Sequence, residues 1–454
     1  MRTIDQPIDS QEIEILRPGV KAAVPVDLPC ADETPTLDMG IALPPKGFIR
    51  DFVDTYTNLT ESPAEFYLAT ALTVEAGVAA PNICYSFAMP VRLNIFSLLI
   101  APSGLARKST ALGIGQGYFS RLCSRKHNDD LPEGFRNIEL MSNMFSPEAL
   151  ADGLEHSNPT GFVSEYRTLL GNGGQKNYQA NVLPLLTDLY DCPAEYRISF
   201  KANKRAKGGC SRTISTPVIS MIGATSPEYF TLSSTDVAGG FLGRHLVFYS
   251  QGSERVIPFP YKPLAGVEER LNNSLFAISN LRGEMELSQN AKHIFEENYR
   301  YEHEAYKQSK NKSNALGSFH SRKGTFWFKV AALLQVSEDR SLTVSGDNMG
   351  RAVHIVEYCG KCYQWLLSQI ATDEWQATRR DILGFIRQNV GCTKSQICRS
   401  FQVKGQVRDG VLDDLVEAEL VSAREEQRGS RGAPAVCYYP VSLSGHWETI
   451  QGEQ

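Results

Sequence analysis

The sequence predicts an α/β fold with a helical layer ahead of the core and a C-terminal winged-helix domain. Three observations favour this class. Between residues 91 and 265, short apolar runs that end in Gly, Ser or Pro alternate with helical patterns. Residues 266–372 carry helical periodicity almost throughout. In residues 373–445 the pattern changes to three short helices and a two-stranded hairpin.

The composition limits the classes to which the chain can belong. Its 454 residues suffice for two or three domains, and 42% apolar residues suffice for sizeable cores. A net charge of −5 excludes a globally basic nucleic-acid-binding protein but leaves room for a local basic surface. No apolar run reaches the length that spans a bilayer, and the acidic start is unlike a secretory signal. We therefore expect a cytoplasmic protein whose ten cysteines are reduced.

The first ninety residues contain two segments. Residues 1–45 are acidic and lack periodicity, which predicts a flexible arm, with docking or autoinhibition as the alternative. Residues 46–90 predict a helical layer in which Phe48, Phe52 and Tyr56 form a packing stripe. Ser62 followed by Pro63 is typical of a helix cap and first helical residue.

The apolar run from Asn94 to Ile100, followed by a tight turn and Lys-Ser-Thr, has the layout of a phosphate-binding P-loop. The turn amides and the helix N-terminus favour an anion there. Lys108 is expected to contact the β- and γ-phosphates, and the Ser109 hydroxyl to hold Mg²⁺. The predicted nucleotide-binding residues of this segment are Ser103, Gly104, Arg107, Lys108, Ser109 and Thr110.

The match to the usual pattern G-x-x-x-x-G-K-[ST] is incomplete. Counting back from Lys108, the glycine positions hold Arg107 and Pro102, unless the loop is one residue longer and begins at Ala101. A register with Arg107 in the lysine position would put Lys108 where a hydroxyl must bind Mg²⁺, so that register is rejected. An ordinary strand, turn and helix with a basic first turn is the alternative.

Two later strands end in residues that suit the same site. Ser164 and Glu165 follow a buried run, in the positions where a second P-loop element normally carries Asp and Glu. Glu165 is expected to polarise the attacking water, and Ser164 to bond a magnesium-bound water. Thr225 and Ser226 end another apolar run and are candidates for sensing the γ-phosphate. The segment Ile138–Met144 is predicted to be the strand beside the P-loop strand.

Arg244 follows a glycine-rich turn and precedes an apolar strand, a position that suits an arginine finger. In ring ATPases such an arginine usually comes from the neighbouring subunit. A solvated loop arginine is the alternative. Arg322, at a helix start, is a weaker candidate for a second nucleotide sensor, with a surface arginine as the default.

Two basic segments are candidates for DNA contact. Between Arg197 and Pro227 there is no acidic residue, so this stretch predicts either a phosphate-backbone contact or a solvated hairpin. In the predicted winged helix, the third helix and the wing are the candidates, although acidic residues on that helix oppose deep groove insertion. The predicted DNA-binding residues are Lys201, Lys204, Arg205, Lys207, Lys404, Arg408, Arg428 and Arg431.

Six segments between about residues 45 and 370 together resemble an uncharacterised family of phage- and plasmid-type P-loop ATPases. The segments are A-P-S-G-L-A-R-K-S-T, N-M-F-S-P-E-A-L, F-V-S-E-Y, L-Y-D-C-P-A-E-Y, I-G-A-T-S-P-E and G-G-F-L-G-R. The family often accompanies primase domains. The resemblance implies a RecA-like or AAA+-like core, a helicase-type role in replication, and a degenerate phosphate loop that still uses Lys108 and Ser109.

We therefore expect an ATP- and Mg²⁺-dependent, helicase-like ATPase that acts on DNA as a ring, with a hexamer as the expected form. Any priming activity would come from a separate primase. The alternative is a nucleotide-gated DNA-binding or assembly factor that scarcely hydrolyses ATP, which the missing loop glycines and the Ser164 substitution favour. No membrane association is expected.

Overall fold

The computed structural model describes residues 34–126, 137–141, 146–166, 182–200, 210–227, 240–308, 314–401, 405–418, 420–426 and 435–441. The chain divides into two compact units, residues 1–366 and 367–454. The fold is mixed α/β, which confirms the predicted class. Within the described residues, no helix is both long and apolar enough to cross a membrane.

The helices and strands follow one another in mixed order along the chain. The helices are α1 (Met39–Ala42), α2 (Phe48–Leu59), α3 (Ala64–Ala79), α4 (Lys108–Lys126), α5 (Pro147–His156), α6 (Val182–Tyr190), α7 (Ala265–Ser279), α8 (Gln289–Gln308), α9 (Asn314–His320), α10 (Lys323–Asp339), α11 (Gly346–Gln388), α12 (Lys394–Ser400) and α13 (Gly405–Glu417). The strands are β1 (Ile83–Ser86), β2 (Pro90–Arg92), β3 (Phe96–Ile100), β4 (Asn137–Leu140), β5 (Ser157–Val163), β6 (Glu195–Phe200), β7 (Cys210–Ser215), β8 (Ser220–Thr225), β9 (His245–Tyr249), β10 (Gly283–Glu284), β11 (Glu286–Leu287), β12 (Thr343–Val344), β13 (Cys392–Thr393), β14 (Val421–Glu426) and β15 (Ala435–Pro440).

The core of the first unit is a five-stranded sheet in the order β4-β5-β8-β3-β9, and all of its pairs are parallel. The three central strands and β9 are buried from end to end, as expected for a parallel sheet covered on both faces. Numbered along the chain, the order is 2-3-4-1-5.

The prediction that the strand near Ile138 pairs beside the P-loop strand is wrong. Strand β4 lies at the edge of the sheet and pairs with β5, whereas β3 lies between β8 and β9. Local sequence pattern cannot supply this order, because parallel strands are joined by long crossovers and either neighbour satisfies the same apolar pattern.

The helical layer packs around α3, whose residues from Phe66 to Ala79 are all buried. Phe48, Phe52 and Tyr56 are buried on α2, so the aromatic stripe is packing, as predicted. The predicted cap at Ser62 is wrong: α3 begins at Ala64, and the Ser62 hydroxyl instead donates to the Ala106 carbonyl in the loop before α4 (3.4 Å).

Short strands interrupt the region between residues 265 and 370 that the sequence predicted as helical. Strand β10 pairs with β1, and β11 pairs with β12. Cys359 and Cys362 are buried in α11, where they are part of the core.

The second unit contains the end of α11, then α12, α13 and a small antiparallel sheet in the order β13-β15-β14. Thr393 caps α12 in a capping box with Gln396. Val411, Leu412 and Leu415 of α13 face the core of this unit. The predicted hairpin gains β13 as a third strand.

Candidate nucleotide-binding site

The loop between β3 and α4 lies at the carboxyl edge of the sheet and is anchored to both neighbouring strands. The Ala101 amide donates to the Thr225 carbonyl at the end of β8 (3.4 Å). The Ser250 amide, after β9, donates to the Ile100 carbonyl (3.1 Å). Crevices at the carboxyl ends of parallel strands are where α/β sheets usually bind ligands.

The centre of this loop is open. Gly104 has φ +85°, in the region that favours glycine, and a Cβ placed on it would meet no heavy atom within 4 Å. Ser103 and Leu105 are exposed to solvent, while Ala106, at the end of the loop, is buried.

Arg107 occupies the position of the second glycine in the usual pattern and adopts φ +44°. Such a left-handed conformation costs a non-glycine residue about 1–2 kcal/mol. The Arg107 guanidinium donates to the Glu61 carboxylate (Nε–Oε2 2.9 Å), and the Arg107 carbonyl accepts the amides of Thr110 and Ala111 at the start of α4. The turn that a glycine would make is therefore present without the glycine.

The Lys108 ammonium reaches back across the loop. Its Nζ donates to the carbonyl oxygens of Ala101 (2.6 Å) and Pro102 (3.3 Å). The first amides of a helix have no intrahelical acceptor, and the helix dipole makes that end positive. The exposed Ser109 hydroxyl lies in the first turn of the same helix. The N-terminal end of α4 therefore presents a cation, the positive end of the helix dipole and a hydroxyl to an anion, while the Thr110 and Ala111 amides bond the Arg107 carbonyl.

Glu165 and Ser164 reach the same edge of the sheet. Both are exposed directly after β5, and the next amide, that of Tyr166, donates to the Ala224 carbonyl on β8 (3.0 Å). Thr225 ends β8, Ser226 follows it, and both are buried. The Thr225 hydroxyl bonds the Ser226 carbonyl (3.3 Å). The structure thus brings together at one edge the loop and both predicted strand-end pairs.

Arg244 lies at the opposite, amino edge. It ends a single 3₁₀ turn and is followed at once by β9, whose residues pair with β3 from His245↔Phe96 onward. At 3.3 Å per residue, about 15 Å of strand separates it from the loop of its own subunit. Arg244 is buried, with hydrogen bonds from its guanidinium to the Asp191 carboxylate (3.1 Å) and the Gly240 carbonyl (3.1 Å). The alternative of a solvated loop arginine is therefore wrong.

Two further cations share the surroundings of Arg244. The Arg322 guanidinium donates to the Ser318 carbonyl (2.8 Å), and burial together with Arg244 lowers the pKa of Arg322. Lys329 is buried over the Tyr190 ring (4.0 Å) and donates to Asn94, and burial lowers its pKa to about 8. Arg322 therefore lies near Arg244, away from the loop between β3 and α4 of its own chain, and its role as a second nucleotide sensor stays a prediction.

Among the predicted DNA-binding residues, the described part of the chain includes Arg408. The Arg408 guanidinium donates to the Asp409 carboxylate, and the Lys394 ammonium forms a second ion pair with the same carboxylate (3.0 Å). The Arg408 side chain is 16% exposed. This pairing reduces the positive charge that Arg408 presents. The remaining predictions fall outside the described residues: Lys201, Lys204, Arg205, Lys207, Lys404, Arg428 and Arg431. The first four lie between β6 and β7, which form an antiparallel hairpin.

A segment without regular secondary structure, residues 253–264, follows β9 and lies beside the loop between β3 and α4, and we call it the strap. The Arg255 guanidinium fixes it to the Ser62 carbonyl (2.7 Å), and the Ile257 amide donates to Glu61 (2.9 Å). Glu61 thus joins the strap to Arg107, and both partners lower the pKa of its carboxyl. The strap exposes four large apolar side chains to solvent: Val256, Phe259, Tyr261 and Leu264.

Sequence reasoning missed Glu61, Tyr166, Asp191, His245 and Lys329 as parts of this arrangement. Tyr166 and His245 immediately follow the predicted residues Glu165 and Arg244. Their positions beside those motifs were the available signal.

Comparison with known proteins adds a distant structural likeness. No family model matches the chain, and no curated protein matches it in sequence. The crystal structure of a full-length MCM homologue from Methanopyrus kandleri matches it with a TM-score of 0.38 and 11% identity. The match covers 79% of this chain and 63% of that one, so this chain spans less than two thirds of the MCM homologue. At that level the likeness carries no argument about activity.

Proposed function

We propose that the chain is a P-loop ATPase of helicase or translocase type, which binds Mg-ATP at the carboxyl edge of the sheet and works as a ring on DNA. One observation carries the nucleotide site: Lys108, an open turn and the N-terminus of α4 lie beside the Thr225 and Glu165 strand ends. Each of these groups was expected at such a site from its place in the sequence.

The residues at this edge suit a triphosphate and its magnesium ion. The amides at the start of α4 and the Lys108 ammonium would hold phosphate oxygens, because both donate hydrogen bonds and the ammonium also carries a positive charge. The Ser109 and Ser164 hydroxyls would face the ion, which neutralises phosphate charge when bound. Glu165 would take a proton from the attacking water, and Thr225 or Ser226 would bond the γ-phosphate.

A ring is proposed because the arginine finger candidate cannot serve its own subunit. Arg244 lies at the edge opposite the phosphate loop, together with Arg322 and Lys329. The exposed Asp191 carboxylate interacts with all three of these cations. A phosphate from a second copy would compensate the excess positive charge, with the Arg244 guanidinium leaving Asp191 to meet it.

The exposed apolar strap supports the same proposal. Clusters of exposed apolar side chains often mark protein contact surfaces, and the strap carries four such side chains within twelve residues. The strap lies beside the loop, since Glu61 accepts hydrogen bonds from both the Ile257 amide and the Arg107 guanidinium. A Cβ on Gly252, just before the strap, would be 3.3 Å from Leu105. We assign the strap to the contact between copies, where it would border the shared nucleotide.

Steady-state ATP turnover with three variants tests the function. Lys108→Ala is expected to abolish turnover, and Glu165→Gln to lower kcat by about 100-fold or more while ATP binding persists. Lys292→Ala, an exposed lysine on α8, is the matched control and should turn over ATP normally. Unchanged turnover in Lys108→Ala would remove the proposed site.

A nucleotide-gated switch with little hydrolysis is the second candidate. The burial of Arg244 and its ion pair with Asp191 favour it, because a finger held in this way is not presented to a neighbour. Adding single-stranded DNA to the turnover assay separates the two: stimulation supports the motor, while tight binding with negligible turnover supports the switch.

The place of the protein in replication of a mobile element, alongside a separate primase, rests on the sequence resemblance alone. The DNA-contacting surfaces proposed are the β6–β7 hairpin and the winged-helix region of the second unit.

A further inference from the structure

Tyr166, which follows Glu165, is fully buried, whereas Glu165 is exposed at the carboxyl edge of the sheet. Its ring lies against Gly223 in the middle of β8. A Cβ on Gly223 would lie 2.0 Å from the Tyr166 ring, so the ring requires glycine at that position. The backbone of Tyr166 is fixed to β8 through the Ala224 carbonyl. The residue beside Glu165 is therefore held at both its backbone and its side chain.

The Tyr166 hydroxyl lies 2.5 Å from Nε2 of His245, the residue that follows Arg244. His245 is fully buried, with its Nδ1 3.1 Å from the Phe241 carbonyl. A carbonyl only accepts hydrogen bonds, so Nδ1 carries the ring proton and Nε2 accepts from the tyrosine. The rings of Phe96 (5.4 Å) and Phe241 (4.9 Å) pack on the imidazole and fix its plane.

The protonation states keep this direction constant. Burial lowers the pKa of His245 to about 4, so the imidazole stays neutral at physiological pH. Burial also raises the pKa of Tyr166, so its hydroxyl stays a donor. The Tyr166 hydroxyl therefore always donates to His245, and His245 always donates to the Phe241 carbonyl. The first of these hydrogen bonds connects the segment after β5 with the first residue of β9.

We infer that the Tyr166–His245 hydrogen bond links the placement of Glu165 at one subunit's nucleotide to the placement of Arg244 toward the next subunit's nucleotide. This inference rests on the proposed function. The bond joins two covalent pairs, Glu165-Tyr166 and Arg244-His245, that lie at opposite edges of one sheet. Tyr166 and His245 are positioning residues, since neither is at the edge where the nucleotide binds.

Tyr166→Phe removes the hydroxyl and keeps the ring against Gly223. Tyr85→Phe is the matched control: Tyr85 is equally buried, and its hydroxyl donates to the Phe328 carbonyl (3.1 Å) outside this link. We expect Tyr166→Phe to lower kcat for ATP by about tenfold with KM unchanged, the effect of one lost hydrogen bond. Tyr85→Phe is expected to change thermal stability and to leave kcat as it is.

Amide hydrogen exchange supplies a readout that a purely structural role would not move. In the wild type, a non-hydrolysable Mg-ATP analogue is expected to change exchange in the peptide spanning residues 240–249, where the Arg244 amide donates to the Phe241 carbonyl (3.1 Å). The change should persist in Tyr85→Phe and disappear in Tyr166→Phe. Equal exchange changes in both variants, with equal kcat, would overturn the link.

A second variant, which removes the other partner of the hydrogen bond, keeps the inference testable if Tyr166→Phe fails to fold. His245→Phe keeps an aromatic ring and removes the acceptor, so it should reproduce the kcat loss, and the double variant with Tyr166→Phe should be no worse than either alone. Additive losses would contradict a shared bond. Failure of the proposed function is distinguishable, because in that case the wild type itself shows no turnover and no exchange response to the analogue.

Discussion

At the scale of single residues, the loop between β3 and α4 makes a left-handed turn without the glycine that the usual P-loop pattern has there. Arg107 makes the left-handed turn that glycine makes readily, and Glu61 holds its guanidinium. Gly104 provides the second positive φ and leaves the loop open. The sequence pattern alone indicated a degenerate loop, because a pattern compares residue types and not backbone angles.

Replacing Arg107 tests whether the backbone angle matters. Arg107→Gly and Arg107→Val both lose the Glu61 pair, but only glycine adopts φ +44° without strain. We expect Arg107→Gly to keep ATP turnover within about twofold, and Arg107→Val to lose turnover and about 1–2 kcal/mol of stability relative to it. Turnover assays and thermal unfolding measure both, and equal behaviour of the pair would show that the angle is irrelevant.

Glu75 makes a residue-scale prediction about pH. Its side chain is buried within α3, and burial raises the pKa of its carboxyl well above the ordinary value. The unfolded chain loses this proton near pH 4.3 while the folded chain keeps it, so stability should fall as pH rises above that value. A tenfold difference in proton affinity between the folded and unfolded chains corresponds to about 1.4 kcal/mol of stability.

Glu75→Gln should therefore raise the free energy of unfolding at pH 8 and flatten its decrease between pH 5 and 8. Glu148→Gln, an exposed residue of α5, is the control and should leave the profile as it is. Denaturant titrations at several pH values give the comparison. A wild-type profile that is flat or rises over this range goes against a protonated Glu75.

At the scale of elements, the site exists because three parallel strands end at one edge. The sequence predicted the carboxyl ends of β3, β5 and β8 together with the residues that follow them, because each strand contains an apolar stretch that is followed by small or polar residues. It did not predict which strands are neighbours, nor the Tyr166–His245 bond between residues 79 positions apart. Such contacts depend on tertiary packing and have no local signal.

The strap gives a prediction at this scale. Phe259→Ser with Tyr261→Ser removes apolar surface from the proposed contact between copies, so the molar mass in the presence of an ATP analogue should fall toward that of one chain. Tyr299→Ser, an exposed residue of α8, is the control. Light scattering after size-exclusion chromatography measures the mass, and an unchanged mass in the double variant would reject the strap as the contact.

At the scale of the whole molecule, the first unit has two chemically different edges. One offers Lys108 and the start of α4 to an anion, and the other carries Arg244 with Arg322 and Lys329. A single copy cannot bring these edges together, because the length of the strands separates them. A closed ring of copies would place one edge against the other, which is why the proposed activity depends on assembly.

The central claim is that the loop before Lys108 binds a nucleoside triphosphate although it lacks the glycines of the usual P-loop pattern. Titration calorimetry with a non-hydrolysable Mg-ATP analogue tests it most directly, independently of turnover and assembly. We predict that the wild type and Lys292→Ala bind alike, and that Lys108→Ala binds at least about tenfold more weakly. The absence of binding to the wild type, or equal affinity in Lys108→Ala, would contradict the account.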